Sequence, residues 1–513
     1  MVCTGQPLAA QAGLEILKQG GNAVDAAIAT AATLTMVEPT GNGLGSDAFA
    51  LVWIKDKLYG LNGSGYAPAA LTVEAMQARG YKAMPKIGWA SVDVPGAVSA
   101  WAQLHKRFGK LPFGRLFAPA IHYAEAGFVV SPQIGKLWQA AEQVFHGKEQ
   151  ETAFAGLFET FFPKGHAPKI GTLFKVPQAV RTLQLIAESY GEEFYQGEIA
   201  QEIIKFAQAT GGFLDAQDLA GYKAQWVEPI RVKYRGYDVW EIPPNGHGLV
   251  ALMALNILNG LTVSPRDTVD NFHKQIEAMK LAFADGLKYI SDPAAMTVTV
   301  EQLLAPDYAA QRRKLIGAAA LEPTPGDPQA GGTVYLCTAD GEGNMVSFIQ
   351  SNFIGFGSGI VVPSCALSLN SRASAFSLDP AAANCLAPHK KPYHTIIPGF
   401  LTKDGEPVGP FGVMGAFMQP QGHVQVITNT VDYLMNPQEA LDAPRWQWIR
   451  GKEIQLEAGV DKEVIAGLKA RGHKVQVVTD LSNFGRGEII WRTKDGVLCG
   501  GTEPRTDGCV AVW

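Results

Sequence analysis

The chain has 513 residues, of which 47% are hydrophobic and 18% charged, and its formal net charge is −5. This length is enough to bury a large core, and the composition is that of a compact globular protein. The small negative charge gives no reason to expect nucleic acid or an acidic membrane surface as a partner.

The N-terminal region is predicted to contain two helices followed by a strand hairpin. The stretch QPLAAQAGLEILKQGG carries Pro7 in the first helical turn, and its Gly-Gly pair ends the helix. Asn22 caps a second, alanine-rich helix, whose small side chains predict close packing on neighbouring elements. After the glycine loop GNGLG, two strands are joined by a turn at Lys55 and Asp56.

The predicted secondary structure changes from mostly helix to mostly strand along the rest of the chain. Residues 95–310 are predicted to be mostly helical, with one strand pair near IRVKYRGYDVWEI. Residues 317–332, rich in Pro, Gly and Ala, predict an exposed linker. Strands dominate afterwards, beginning with TVYLCTA and MVSFIQS around the hairpin signal DGEGN, and VQVITNTVDYLMNPQEALDAP returns to helix. The pattern predicts a layered α/β architecture with sheets packed together.

Cysteine spacing and the chain start favour a reduced, cytoplasmic protein. The six cysteines form no CxxC pair, so we expect free and mostly buried thiols. The first residues show no leader sequence, unless one has been removed, and the longest near-apolar run, residues 23–37, is too short and polar to span a bilayer. We therefore expect a cytoplasmic location and no membrane partner.

Several common catalytic motifs are absent. The sequence contains no GxxxxGK[ST] phosphate loop, no HExxH and no GxSxG. Its glycine clusters lack GxGxxG spacing, and its ten histidines form no i,i+4 pair of the zinc type. We therefore expect neither a metal nor a cofactor.

The stretch QAGGTVY, residues 329–335, raises a different chemistry. An N-terminal Thr can act as a nucleophile whose own α-amine is the general base, provided that the preceding peptide bond is cut. Gly332 suits such a cut because it lacks Cβ and admits unusual backbone angles. On these residues alone, a Gly-Gly loop leading into a strand at Thr333 is the better-supported interpretation.

Longer stretches resemble a known family. GGTVYLCTADGEGNMVSFIQSNFIGFGSGIVVP, LSLNSRASAF, HKKPYHTIIPGF and FGVMGAFMQPQGHVQVITN resemble the γ-glutamyltranspeptidase family of N-terminal nucleophile hydrolases, and so does the N-terminal stretch from QPLAAQ to DAFAL. The resemblance covers essentially the whole chain. It implies a four-layer αββα sandwich, made as one precursor and cut autocatalytically between Gly332 and Thr333. Residues 1–332 would form a large chain and residues 333–513 a small chain, intertwined as one folding unit.

The resemblance also implies catalytic roles. Thr333 would first cut the chain and then accept the acyl group of the substrate. Ser351 matches a second hydroxyl that supports the nucleophile, and a family Asn aligns with Phe353, so the role of the adjacent Asn352 stays open. Gly415 and Ala416 match two glycines whose amides face the oxyanion, and Ala keeps the required N–H. A tight strand end is the alternative explanation for Gly415.

The substrate pocket departs most from the family pattern. Ser64 stands where γ-glutamyl enzymes hold the substrate α-carboxylate with an Arg, and Ser374 and Ala375 replace the acids that hold the α-amino group. Each lost charge-assisted contact is worth about 1.5–3 kcal/mol. A γ-glutamyl amino acid is therefore expected to bind poorly.

A new cation occupies the same wall of this pocket. Arg372 replaces a family Gln, and its guanidinium suits a carboxylate, although a structural ion pair would also explain it. His394 and Thr395 replace a serine pair, and His394 is either a pocket donor or a packed histidine. The pocket predicted from these residues takes a small amide with a carboxylate, such as oxamate, the substrate of one branch of the superfamily.

Three functions compete at this point. The first is a self-cleaving hydrolase of a small carboxylate-bearing amide, with water as the second substrate. The second is a γ-glutamyltransferase or glutathione hydrolase of glutathione metabolism. The third is a non-enzymatic member, against which Thr333 argues. A homodimer is plausible for an enzyme of this size, although no residue demonstrates one.

Overall fold

The computed structural model describes residues 1–323 and 332–513. Its helices in these ranges are α1 (Pro7–Lys18), α2 (Ala23–Val37), α3 (Val73–Ala78), α4 (Ala97–Phe108), α5 (Ala118–Ala126), α6 (Pro132–Phe145), α7 (Ala155–Phe161), α8 (Gln178–Ser189), α9 (Glu192–Tyr195), α10 (Glu198–Thr210), α11 (Ala216–Ala220), α12 (Gly248–Asn259), α13 (Val269–Tyr289), α14 (Val300–Leu303), α15 (Pro306–Arg313), α16 (Met418–Val431), α17 (Pro437–Asp442) and α18 (Lys462–Ala470).

The strands are β1 (Val2–Thr4), β2 (Asp47–Ile54), β3 (Lys57–Gly63), β4 (Phe128–Val129), β5 (Leu173–Phe174), β6 (Gln225–Val227), β7 (Ile230–Tyr234), β8 (Tyr237–Glu241), β9 (Gly332–Ala339), β10 (Met345–Phe353), β11 (Val361–Val362), β12 (Leu367–Ser368), β13 (Gly399–Lys403), β14 (Glu406–Met414), β15 (Trp446–Arg450), β16 (Glu453–Glu457), β17 (Lys474–Val478), β18 (Arg486–Arg492), β19 (Leu498–Thr502) and β20 (Cys509–Ala511).

Two large antiparallel sheets form the centre of the molecule. One has the order β20-β1-β9-β10-β2-β3-β6, and the other has the order β19-β18-β14-β13-β8-β7. Buried side chains from both sheets, including Phe49, Tyr335, Phe400 and Ile490, form the core between them. Helices such as α2 cover the first sheet, and α12 and α13 cover the second. This arrangement confirms the predicted four-layer αββα sandwich.

The N-terminal helix pair shows how the sequence specifies one outer layer. Asn22 and Asp25 form a capping box at the start of α2, in agreement with the predicted cap. Every residue of α2 is buried. A Cβ on Gly13 of α1 would lie 2.2 Å from the Thr30 hydroxyl, so only glycine permits this approach of the two helices.

Two predictions need correction. The strand that follows the predicted linker begins at Gly332, because this residue already pairs with Phe353 of β10. Of the linker, residues 324–331 lie outside the described residues. The cysteines are free as expected, but only Cys3, Cys337 and Cys365 are buried, whereas Cys385 and Cys509 are half-buried and Cys499 is exposed.

No helix in the described ranges combines the length and apolarity needed to cross a bilayer.

Candidate active site

Thr333 lies at the start of β9 with only 1% of its surface exposed. Its hydroxyl oxygen lies 3.0 Å from that of Ser351, on the neighbouring strand β10. The Ser351 hydroxyl also accepts a hydrogen bond of 2.8 Å from the Phe353 amide. The pairing of the two strands therefore brings together the two hydroxyls that the sequence suggested as partners.

Arg372 extends this pair into a chain of polar contacts. It is fully buried, and its Nη1 donates to the Thr395 hydroxyl at 2.8 Å, while Nη2 donates to Ser351 Oγ at 3.4 Å. The guanidinium lies over the ring of Phe353, 4.2 Å from its centroid. One continuous network thus connects Ser351 with three other predicted site residues, Thr333, Arg372 and Thr395.

Buried charges surround Arg372, and sequence reasoning missed three of them. Burial lowers the pKa of Arg372 to about 10, although Asp47 and Asp93 oppose this shift. Burial raises the pKa of Asp47 to about 7, and burial together with the Asp47 charge raises the pKa of Asp93 well above its usual range. Burial also lowers the pKa of Lys391 to about 8. For the two acids, single charges within the otherwise neutral runs GSDAF and SVDVPG were the available signal.

Asp93 differs from the other charged groups of this cluster. Its side chain is fully buried, and neither carboxylate oxygen has a hydrogen-bond partner in the part of the chain that the structure describes. A Cβ on Gly65 would lie 2.7 Å from Asp93 Oδ1, so the glycine makes room for the carboxylate. Asp93 is therefore a buried carboxyl group that is poorly satisfied within the protein.

His394 is held by an acid. Its Nε2 lies 2.8 Å from Asp47 Oδ2, and both side chains are fully buried. Burial, reinforced by the nearby Arg372 charge, lowers the pKa of His394 well below its usual range, so the ring is neutral at pH 7. The structure thus places His394 against Asp47 as its hydrogen-bond partner.

Ser64 and Asn352 also take part in hydrogen bonds within the protein. The Ser64 hydroxyl donates to Asn62 Oδ1 at 2.7 Å, and its carbonyl accepts from Lys391 Nζ at 2.9 Å. The Asn352 side chain donates to the Ser368 hydroxyl at 3.1 Å. Both residues lie in the walls around the Arg372 cluster, and their predicted roles in substrate binding stay predictions.

Gly415 and Ala416 form the turn between β14 and α16. Their φ angles are 140° and 49°, and Ala416 is therefore in the left-handed region that disfavours a side chain. Gly412, three residues earlier, leaves room for the ring of Tyr335, which places β14 directly over β9. Amides at the N-terminal end of a helix suit a developing negative charge.

A second buried cluster could hold a metal ion. The ligand atoms of His273, Glu277 and His473 all lie within 4.8 Å of one another. These groups already interact, because His273 Nδ1 lies 2.9 Å from His473 Nε2 and Glu277 accepts from Lys280 Nζ at 2.7 Å. No sequence pattern indicates this cluster, because His473 is distant in the chain from the two residues on α13.

Comparison with known proteins decides the family. The family model for gamma-glutamyltranspeptidase matches residues 9–513. The chain belongs to the γ-glutamyltranspeptidase family. As a member of this family it is an N-terminal nucleophile hydrolase, as the sequence predicted.

Relatives within the γ-glutamyltranspeptidase family differ in their named activities. The chain is 36% identical to the glutathione hydrolase-like YwrD proenzyme of Bacillus subtilis, over 99% of this chain and 97% of that protein. It is 33% identical to the oxamate amidohydrolase proenzyme of Klebsiella pneumoniae, over 98% and 96%. The crystal structure of cephalosporin acylase from Bacillus halodurans matches with a TM-score of 0.97 and 58% identity, over 100% of this chain and 95% of that one.

Proposed function

We propose that this chain is a self-cleaving threonine amidohydrolase that acts on a small amide with a carboxylate in its acyl group, of the oxamate type. The precursor is cut between Gly332 and Thr333, and Thr333 Oγ1 then attacks the amide carbonyl to form the acyl-enzyme while the C–N bond breaks and ammonia leaves. Ser351 supports the nucleophile, the amides of Gly415 and Ala416 stabilise the oxyanion, and water completes hydrolysis.

The contact chain from Thr333 through Ser351 to Arg372 carries this proposal. It joins the nucleophile oxygen to a guanidinium by two contacts of 3.0 and 3.4 Å. A guanidinium binds a carboxylate with two parallel hydrogen bonds, so Arg372 can fix an acid next to the nucleophile.

The same distances favour a short acyl group. Thr333 Oγ1 and Arg372 Nη2 can be separated by no more than the sum of the two contacts. A carboxylate on Arg372 and a carbonyl carbon over Thr333 are then close together, as in oxamate, where the two carbons are directly bonded. The oxamate amidohydrolase relative supports this size.

Hydrolysis of γ-glutamyl compounds is the second candidate, and Asp93 favours it. A buried carboxylate with two unpartnered oxygens would accept the α-ammonium of such a substrate while Arg372 holds its α-carboxylate. The glutathione hydrolase-like relative also supports this candidate.

Self-cleavage is tested by intact-mass analysis and denaturing gels of the purified protein. We expect two chains whose junction is Gly332-Thr333, and a Thr333→Ala variant that stays uncut. Thr338→Ala is the matched control, because Thr338 is another buried threonine of β9 and its hydroxyl bonds to the Ala23 carbonyl. Cleavage of the Thr333→Ala variant at the same bond would refute the assignment of the nucleophile.

Substrate choice is tested by comparing kcat/KM for oxamate with that for γ-glutamyl-p-nitroanilide. The first proposal predicts saturable ammonia release from oxamate. Strong saturable release of p-nitroaniline with no turnover of oxamate would instead select the second candidate.

A further inference from the structure

The direction in which the Thr333 backbone nitrogen points follows from the pairing of β9. Alternate residues of a strand turn their backbone groups toward opposite neighbours. The Tyr335 carbonyl accepts from the Thr4 hydroxyl at 3.0 Å, on the side of β1. Ala339 likewise exchanges two backbone hydrogen bonds with Met1. Thr333 has the same parity as these residues, so its nitrogen also faces the β1 side.

At this position β1 has already ended, and a small pocket takes its place. The strand stops at Thr4, opposite Leu336. Beyond it, the pocket that borders the start of β9 is lined in part by Glu38, Thr333, Tyr335, Met414, Arg486 and Glu488. The nitrogen of Thr333 therefore faces a pocket with acidic and basic side chains, on a different edge of β9 from the Ser351 contact.

Glu38 and Arg486 form a buried ion pair in this pocket. Glu38 lies at the C-terminal end of α2 with 2% of its surface exposed, and its Oε1 lies 3.2 Å from Arg486 Nη1. Arg486 Nε also donates to the sulfur of Met414, directly before the Gly415-Ala416 turn. The pair thus connects the end of α2 with β18 and with the end of β14 before the turn.

Glu488 and Tyr335 also line this pocket. Burial raises the pKa of Glu488 well above its usual range, and burial does the same for Tyr335, whose phenol is therefore neutral at pH 7. Burial raises the pKa of Glu38 to about 7, while Arg486 lowers it and the Asp507 charge adds to the rise. A new cationic neighbour would therefore ionise Glu38 readily.

We propose that Glu38 is a positioning residue for the α-amino group that self-cleavage creates on Thr333, with Arg486 orienting the carboxylate. This inference rests on the proposed function. The amine must be neutral to act as general base, and it needs a fixed orientation toward the Thr333 hydroxyl. The Glu38 carboxylate accepts a hydrogen bond from the amine and raises its pKa, while the Arg486 guanidinium lowers it.

The pH profile of kcat/KM separates this role from a merely structural one, because its acidic limb reports the pKa of the essential base in the free enzyme. In Glu38→Gln we expect the limb to move to lower pH by about 1 unit, and in Arg486→Met to move to higher pH by a similar amount. Glu453→Gln is the control, since Glu453 pairs with Arg450 on the surface and should leave the limb in place. The substrate is oxamate or γ-glutamyl-p-nitroanilide, whichever the wild type hydrolyses faster.

Opposite shifts in the two processed variants support the proposal, and unchanged limbs in both overturn it, even when activity falls at every pH. A variant that folds with the wild-type melting temperature but stays uncut also overturns it, because the pair would then serve the cleavage and not the amine. If Glu38→Gln does not fold, the pH position of the acidic limb in Arg486→Met alone decides whether the proposal holds. An uncut wild type would instead refute the proposed function.

Discussion

Arg372→Met removes a fully buried guanidinium while keeping an unbranched side chain in its place. A substrate carboxylate on Arg372 loses at least one charge-assisted hydrogen bond, worth about 1.5–3 kcal/mol. Because 1.4 kcal/mol is a factor of ten, kcat/KM for oxamate should fall roughly 10- to 150-fold. Asp47 also loses a positive neighbour, but its pKa is already raised to about 7, so it can take up a proton and the fold should persist.

The assay measures ammonia release from oxamate and from pyruvamide, in which a methyl group replaces one carboxylate oxygen and removes the charge. The ratio of the two kcat/KM values isolates the carboxylate contact from any general damage to the site. We expect this ratio to fall in Arg372→Met and to stay at the wild-type value in Arg312→Met. Arg312 is a matched control because it is a partly buried arginine paired with Asp285 in the helical layer.

Equal losses for both amides in Arg372→Met would refute the reasoning, because the guanidinium would then support the fold of the site and not the substrate. If Arg372→Lys, which keeps the charge but not the planar fork, matched wild type on oxamate, the charge alone and not the bidentate geometry would hold the carboxylate.

Three further predictions follow from individual contacts. Glu38→Gln should flatten the pH dependence of stability. In the wild type the pKa of Glu38 is raised from 4.5 to about 7, so the folded state retains a proton that the unfolded chain releases. The wild-type free energy of unfolding therefore falls by about 3 kcal/mol as pH rises through this window, and the variant lacks this fall. Thermal melts of the wild type and the variant at pH 5 and pH 7 measure this effect. The same change in melting temperature between the two pH values in both proteins would contradict the prediction. Ser351→Ala removes the 3.0 Å partner of Thr333 Oγ1 and should slow self-cleavage about 10- to 100-fold in a gel time course; a wild-type half-time would count against the hydroxyl pair. Ala416→Gly keeps the N–H and relieves a left-handed residue, so we expect activity within about threefold and a gain of about 1 kcal/mol in stability; a large loss of activity would exclude a backbone role.

Local patterns predicted much of the architecture. The Asn22 cap, the turn at Lys55 and Asp56 and the strand pair near residue 235 all lie where the sequence indicated. These features depend on neighbours within a few residues, and propensity and periodicity report such short-range effects. The family resemblance added the αββα order and named Thr333, which QAGGTVY alone did not.

The charged cluster around Arg372 could not be predicted in the same way. Asp47 starts a strand, Asp93 precedes a helix and Lys391 lies in a loop, so each is an unremarkable polar residue in its own segment. Their effect arises when the fold buries them together, because removing water is what shifts the pKa values of all three.

By itself, the sequence determined which segments become helices and strands, where a threonine follows a Gly-Gly pair and which family charges are missing. The tertiary structure decided what those residues face. It joined Thr333 to Arg372 through Ser351, and it placed Thr333 and Glu38 in the lining of one pocket. The reason is physical: side-chain identity is local, but burial, strand parity and the distances between charges exist only once segments far apart in the chain have packed against one another.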